Sequence, residues 1–139
     1  CMYVCMYACM YVYMYSPVAG QIVQARLDVV VHDGTARSLL DVVIVSPYGG
    51  NDSFRAACAR RDGHASRRAA VAKRARYPNR DLVPFALETG GRMGNDARAF
   101  LSRMADAAED RHSELQYLQR AISSVLQDGI AMMLQPKLG

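Results

Sequence analysis

Two runs of β-branched residues dominate the hydrophobic pattern of the first half of the chain. Residues 25–31 read ARLDVVV and residues 38–45 read SLLDVVIV, a composition typical of strands. Asp33-Gly34, between the runs, is a turn signal. Because both runs are apolar at odd and even positions alike, the pattern predicts a β-hairpin in a sheet that helices cover on each side.

The next stretch alternates small and basic residues and then becomes apolar again. Residues 53–77 are rich in Ala and Arg, which favours helix. Gly63 is expected to divide this stretch, and its second part, about 65–77, should end before Pro78. Residues 82–88 (LVPFALE) predict a third strand, and the internal Pro84 places that strand at an edge or a bulge.

Helical periodicity fills the C-terminal third. Asn95 or Asp96 is a candidate cap for a helix with one apolar face, formed by Ala97, Phe100, Leu101 and Met104. A longer helix is expected over about 111–134. Its apolar stripe comprises Leu115, Leu118, Ile122, Val125, Leu126 and Met133. Such a stripe is more often core than an association surface. The order strand, strand, helix, strand, helix, helix indicates a small α/β domain.

The first fifteen residues, CMYVCMYACMYVYMY, repeat with a period of four that suits a strand and a helix equally well. A TGTA repeat in the DNA translates as Cys-Met-Tyr-Val, so we interpret the run as a translated microsatellite, interrupted at Ala8 and Tyr13. The predicted organisation is therefore a low-complexity repeat over 1–16, a core over 17–94 and a helical extension over 95–139.

Composition narrows the classes of protein. The chain has 139 residues, 51% of them apolar, which suits one domain. The uncharged opening run is shorter than the roughly 18–20 residues that span a bilayer, and it lacks the basic start of a signal peptide, so no membrane partner is expected. Its cysteines recur every fourth position without a neighbouring His, which disfavours a zinc site. The default compartment is a reducing one.

Positive charge is concentrated in one segment. The net charge is +4, and eight basic residues lie between Arg60 and Arg80, opposed only by Asp62. This excess permits a nucleic-acid partner without requiring one. The alternative is a solvated basic surface, which is the usual fate of such a run.

Asp28 and Asp41 each interrupt one of the apolar strands. If residues 33–36 form the hairpin loop, 28 lies opposite 41, with Cβ atoms roughly 5 Å apart. Like charges there repel, and a divalent cation held by hard oxygen ligands, Mg²⁺ or Mn²⁺, would resolve the conflict. The alternative is that either aspartate is a strand-end residue satisfied by backbone amides.

The basic helix that follows offers a cation for the same chemistry. Lys73 and Tyr77 are spaced i, i+4 and share a helix face, with Arg76 adjacent. A metal-bound phosphate would be stabilised by a cation of this kind.

Four segments together resemble a known family: 26–45 (RLDVVVHDGTARSLLDVVIV), 70–77 (AVAKRARY), 82–94 (LVPFALETGGRMG) and 122–134 (ISSVLQDGIAMML). They are similar to the C-terminal restriction-like endonuclease region of non-LTR retrotransposon polyproteins, in the PD-(D/E)XK nuclease superfamily. The resemblance covers about residues 22–134. It implies a small restriction-endonuclease-like α/β core of β-hairpin, helix and β-strand, followed by two C-terminal helices.

The resemblance also implies roles for particular residues. Asp28 and Asp41 match the acidic ligands of Mg²⁺ or Mn²⁺. Lys73 matches a catalytic lysine that this branch supplies from the helix, and Tyr77 matches the tyrosine that follows it. Glu88 is an auxiliary candidate.

The sequence departs from the family pattern at several places. Leu27 stands where the family usually has a proline before the first aspartate, and Val43 stands where the usual motif has its lysine. Arg76 stands where a second lysine is common. The family's first core helix and upstream zinc knuckle are expected before the first aspartate, where the repeat lies. We therefore expect a truncated nuclease core.

The function expected from the resemblance is a metal-dependent DNA endonuclease domain derived from a retrotransposon, with a degenerate copy of such a domain as an alternative. DNA would be held through its backbone by arginines of the basic segment: Arg67, Arg68, Arg74, Arg76 and Arg80. An intact element would carry an upstream reverse-transcriptase segment, and the expected location is the nucleus. The alternatives are a non-catalytic nucleic-acid-binding module, or a pseudogene or gene-model fragment with no selected function.

Overall fold

A four-stranded sheet with helices packed against it organises the chain in the computed structural model, which describes residues 5–16, 21–33, 36–77 and 81–134. The strands are β1 (Cys5–Ser16), β2 (Gln21–Asp33), β3 (Ala36–Val45) and β4 (Leu82–Glu88). The helices are α1 (Asp52–Arg60), α2 (His64–Arg76), α3 (Asn95–Ala105) and α4 (Arg111–Leu134). The predicted α/β class is confirmed, with a hairpin, a helical crossover and a strand preceding two C-terminal helices.

The sheet is mixed, with spatial order β1-β2-β3-β4. β1 with β2 and β2 with β3 are antiparallel, whereas β3 and β4 are parallel. A parallel pair needs a crossover, and α1 with α2 supplies it. β4 lies at an edge of the sheet, as Pro84 predicts, since proline cannot complete the hydrogen-bond ladder of a central strand.

The register of the β2–β3 hairpin is the one expected from a four-residue loop. Val29 lies opposite Leu40, and Asp33 lies opposite Ala36. This register matters because a shift by one residue would move every side chain of β2 to the other face.

The opening repeat forms β1 at the other edge of the sheet. Cys5 lies opposite His32 of β2, and Ser16 lies opposite Gln21. Of the two structures that its period fits, the backbone therefore adopts the strand.

Each face of the sheet has its own apolar cluster. On one face Val30, Leu39 and Leu82 pack together with Tyr77, beside α2. On the other face a larger cluster joins the sheet to α3 and α4. Its buried members are Val31, Leu40, Phe85, Leu87, Met93, Ala97, Phe100, Leu101 and Leu126. The prediction that helices cover both faces is confirmed.

Local signals define the two crossover helices. The Asn51 side chain accepts a hydrogen bond from the Phe54 N–H at 2.9 Å and caps α1. Gly63 has φ of 68° and separates α1 from α2, as its position in the sequence predicts. α2 ends at Arg76, immediately before Tyr77.

Two predictions about the C-terminal helices are wrong in detail. The cap of α3 is Gly94, not Asn95 or Asp96, which are its first two helical residues. The Gly94 N–H bonds the Ala86 carbonyl at 2.8 Å, and a Cβ on residue 94 would lie 3.2 Å from that oxygen. Close approach of the loop to β4 therefore sets the start of the helix.

The apolar stripe of α4 is narrower than expected. Leu115, Leu118 and Ile122 pack against the core and Leu126 is buried in it, but Val125 is 72% exposed. The side chain of Met133 lies outside the described part of the structure. Of the helices described, none is long and apolar enough to cross a membrane.

Candidate functional site

Asp41 is a buried carboxylate in the middle of β3. Its residue exposure is 3%, and it lies opposite Pro84 of the parallel neighbour β4. A buried charge is costly unless it is paired.

Lys73 supplies the counter-charge from α2. Its Nζ lies 2.7 Å from Asp41 Oδ1, and a quarter of the lysine side chain remains exposed. Ser66 and Ala70, which precede Lys73 by about two turns and one turn of the helix respectively, are buried, so this face of α2 lies against the sheet. The structure thus brings together two of the predicted site residues, Asp41 and Lys73, in a direct ion pair.

The second oxygen of Asp41 has no hydrogen-bond partner among the described residues. Oδ2 is buried and accepts no hydrogen bond from the residues that the structure describes. Most buried polar atoms have a partner, so an orphaned carboxylate oxygen needs an explanation. An additional cationic ligand at Oδ2 would provide one.

A divalent cation at Asp41 would need further oxygen ligands close to Oδ2. Asp28 lies in β2 next to Val29, whose partner Leu40 is next to Asp41, so continuing this register by one residue would bring position 28 opposite Asp41. The side chain of Asp28 is outside the described residues. Among those that are described, no group of three His, Cys, Asp or Glu side chains forms a metal site. Asp41 Oδ2 fits as one hard oxygen ligand, and Asp28 would have to supply the other.

Tyr77 anchors the end of α2 beside this pair. Its backbone N–H donates to the Lys73 carbonyl at 2.9 Å, and its ring packs on the Val30–Leu39–Leu82 cluster. The Arg76 guanidinium lies 5.2 Å from the centre of the same ring. Tyr77 therefore fixes the helix turn that carries Lys73.

Glu88, the auxiliary candidate, lies apart from Asp41. Its position on β4 is four residues beyond Pro84, or about 13 Å along a strand. Glu88 Oε1 accepts hydrogen bonds from the N–H and the hydroxyl of Ser66, both at 3.1 Å. Its Oε2 lies 3.9 Å from Arg92 Nε. The structure thus gives Glu88 the role of tying α2 to β4.

The predicted DNA-binding arginines contact different neighbouring residues. Arg68 lies over the Phe54 ring at 5.2 Å, and Arg76 lies over Tyr77. Arg74 forms an ion pair with Asp96 of α3. Arg67 is exposed, and its guanidinium is 3.5 Å from the Asp62 carbonyl. Arg80 is outside the described residues. The described arginines of this set therefore differ in their immediate neighbours.

Sequence reasoning missed Ser66 and Arg92 beside Glu88. The available signal was the position of Ser66 in the first turn of α2, where a serine hydroxyl and a free N–H point the same way. The identity of the carboxylate that they contact follows only from the three-dimensional packing of α2 on β4.

Comparisons of the chain with protein-family models, curated proteins and solved structures found no match.

Proposed function

We propose that the chain is a metal-dependent DNA endonuclease domain of the kind its sequence resembles. The observation that supports this most is the half-satisfied buried carboxylate: Asp41 Oδ1 is bound by Lys73 while Oδ2 has no described partner. A carboxylate oxygen beside an ammonium group suits a site that must bind both a cation and a phosphate.

Each residue of the site would have a separate role in cleavage. Asp41 Oδ2 and Asp28 would hold Mg²⁺ or Mn²⁺, which when bound supplies Lewis-acid activation of water and neutralises phosphate charge. The Lys73 ammonium would stabilise the negative charge that develops on the phosphate oxygens. Tyr77 acts as a positioning residue, because it holds the turn of α2 from which Lys73 extends.

A plasmid-nicking assay with Mg²⁺ tests this proposal. Asp41→Asn and Asp28→Asn should each lower the nicking rate by at least about 100-fold, the usual scale for losing a charge-stabilising group. Asp128→Asn, at an exposed position of α4, is the matched control and should nick like the parent. Equal rates for Asp41→Asn and the parent would refute the site assignment.

A non-catalytic nucleic-acid-binding module is the second candidate. It is favoured by the exposed arginines of α2, which need no metal to hold a phosphate backbone. Salt-dependent DNA binding in EDTA, without nicking and without any effect of Mg²⁺ on the melting temperature, would favour this candidate over the nuclease.

The cellular setting that goes with the first proposal is also a proposal. A retroelement endonuclease would act in the nucleus and would work with an upstream reverse-transcriptase segment.

A further inference from the structure

Two clefts on the α1–α2 side of the molecule join into one groove. The first, about 430 Å³, lies between α2 and the start of α3. The second, about 490 Å³, lies between α1 and the loops that follow β3 and β4. They share Asp62, Gly63 and Arg92, so together they form a continuous surface, which we call the arginine groove.

Positive charge dominates this groove. Its lining arginines are Arg55, Arg61, Arg67, Arg74, Arg92 and Arg98. The lining carboxylates are Asp62, Glu88 and Asp96, which leaves an excess of three positive charges. Asp52, outside the lining, also pairs with Arg55. Such an excess attracts a polyanion, since charge in a concave surface is focused.

The groove is distinct from the Asp41–Lys73 pair, because neither residue lines it. It also divides the basic residues of α2: Arg67 and Arg74 line it, whereas Arg68 and Arg76 do not. Arg92 and Arg98, which come from the β4–α3 loop and from α3, complete it.

An aromatic side chain lies at one end of the groove. Tyr48, in the turn after β3, lines the second cleft and is 80% exposed. An exposed aromatic ring beside arginines is the arrangement on which unpaired bases stack while their phosphates are held by charge. The bases of a duplex are already stacked on each other and are not free to stack on a protein ring. A single strand is therefore expected to bind this surface more tightly than a duplex.

We infer that the arginine groove binds single-stranded nucleic acid, with its phosphates along the arginines and a base on Tyr48. The inference shares with the proposed function only the choice of nucleic acid as partner, and it does not require cleavage.

The test is fluorescence anisotropy of the full chain in EDTA, with a labelled oligothymidylate of about 20 nucleotides. Arg67→Ala and Arg98→Ala should each weaken binding and reduce the slope of log affinity against log salt by about 0.7, the value for one phosphate contact on a single strand. Arg120→Ala removes the same charge on α4, outside the groove, and should leave that slope at the parent value. Equal effects of groove and control variants would overturn the inference.

Tyr48→Ala should weaken single-strand binding by about tenfold, within the range for loss of one stacked base. The control is Tyr117→Ala, because Tyr117 is 66% exposed on α4, away from the groove. Parent-like binding by Tyr48→Ala, tighter binding of the duplex than of the single strand, or displacement by polyglutamate at equal charge would each contradict the inference.

A matching oligouridylate shows whether the strand is DNA or RNA, and tighter binding of either supports the groove. Asp41→Asn should bind the strand like the parent. If Asp41→Asn also nicks like the parent, the nuclease proposal fails while the groove stands. If nicking depends on Asp41 and the groove variants bind the strand like the parent, the inference about the groove is wrong and the nuclease proposal stands.

Discussion

Two buried carboxylates lie under the same helix, and they differ in how completely they are satisfied. Glu88, near the start of α2, has hydrogen bonds from Ser66 on Oε1 and Arg92 near Oε2. Asp41, near its end, has Lys73 on Oδ1 and no described partner on Oδ2. A buried carboxylate with both oxygens occupied suits a structural role, whereas one with a buried oxygen left over is expected where a ligand binds.

Removing the cation of the incomplete site should have the largest effect. Lys73→Met should lower the free energy of unfolding by about 3 kcal/mol, because it leaves the Asp41 carboxylate buried without a counter-charge. Urea denaturation of the parent and the variant measures the difference.

The control for Lys73→Met removes both charges together. Asp41→Leu combined with Lys73→Met should recover most of the lost stability or exceed the parent, since a well-packed apolar pair often replaces a buried ion pair without loss. A double variant as unstable as Lys73→Met would show that the loss comes from packing and not from charge.

Removing one donor of the complete site should cost less. Ser66→Ala removes the hydroxyl but keeps the N–H that also reaches Glu88 Oε1, so we expect a loss of about 1 kcal/mol in the same denaturation experiment. Ser53→Ala, which removes an exposed hydroxyl bonded to Asn51, is the matched control and should cost less still. A loss for Ser66→Ala that equals that of Lys73→Met would remove the distinction between the two sites.

Asp110 is an exposed carboxylate, and its removal is expected to change stability less than the substitutions at the two buried sites. A hydrogen bond from the Ser113 hydroxyl, with others from the Ser113 and His112 N–H groups and the His112 charge, lowers the pKa of Asp110. Its contribution to stability is therefore present above the ordinary carboxyl pKa of 3.8 and is lost as the pH falls through the lower folded value.

Melting temperatures of the parent and Asp110→Ala across an acid titration test this sign. The parent should melt slightly higher at neutral pH, and the two curves should converge below pH 3.8. A constant gap down to the lowest pH would mean that the side chain acts through something other than its charge.

The part of the site that lies within one or two local elements could be predicted from the sequence. The Asp33-Gly34 turn and two apolar runs predict the hairpin register, and the confirmed Val29–Leu40 pairing follows from them. The i, i+4 spacing of Lys73 and Tyr77 predicts a shared face, and both side chains lie toward the sheet, Lys73 from the last turn of α2 and Tyr77 from the residue that follows it.

Contacts between distant segments could not be predicted in this way. The bond from Ser66 to Glu88 joins residues that no local period relates. The directions of the arginines are set by their neighbours: Phe54 lies under Arg68, and Asp96 pairs with Arg74. Helical periodicity also wrongly assigned Val125 to the buried face of α4. The period shows which side of a helix is apolar, but not how wide a part of that side the rest of the protein covers.

Gly63 connects regions that otherwise have separate roles. Its left-handed backbone divides α1 from α2, its carbonyl accepts a hydrogen bond from the Ser66 hydroxyl, and it lines both clefts of the arginine groove. Any other residue there would have to adopt a left-handed conformation, at a cost of roughly 1–2 kcal/mol. A substitution at Gly63 would therefore disturb a helix start, the hydrogen bonding around a buried carboxylate and a charged surface at once.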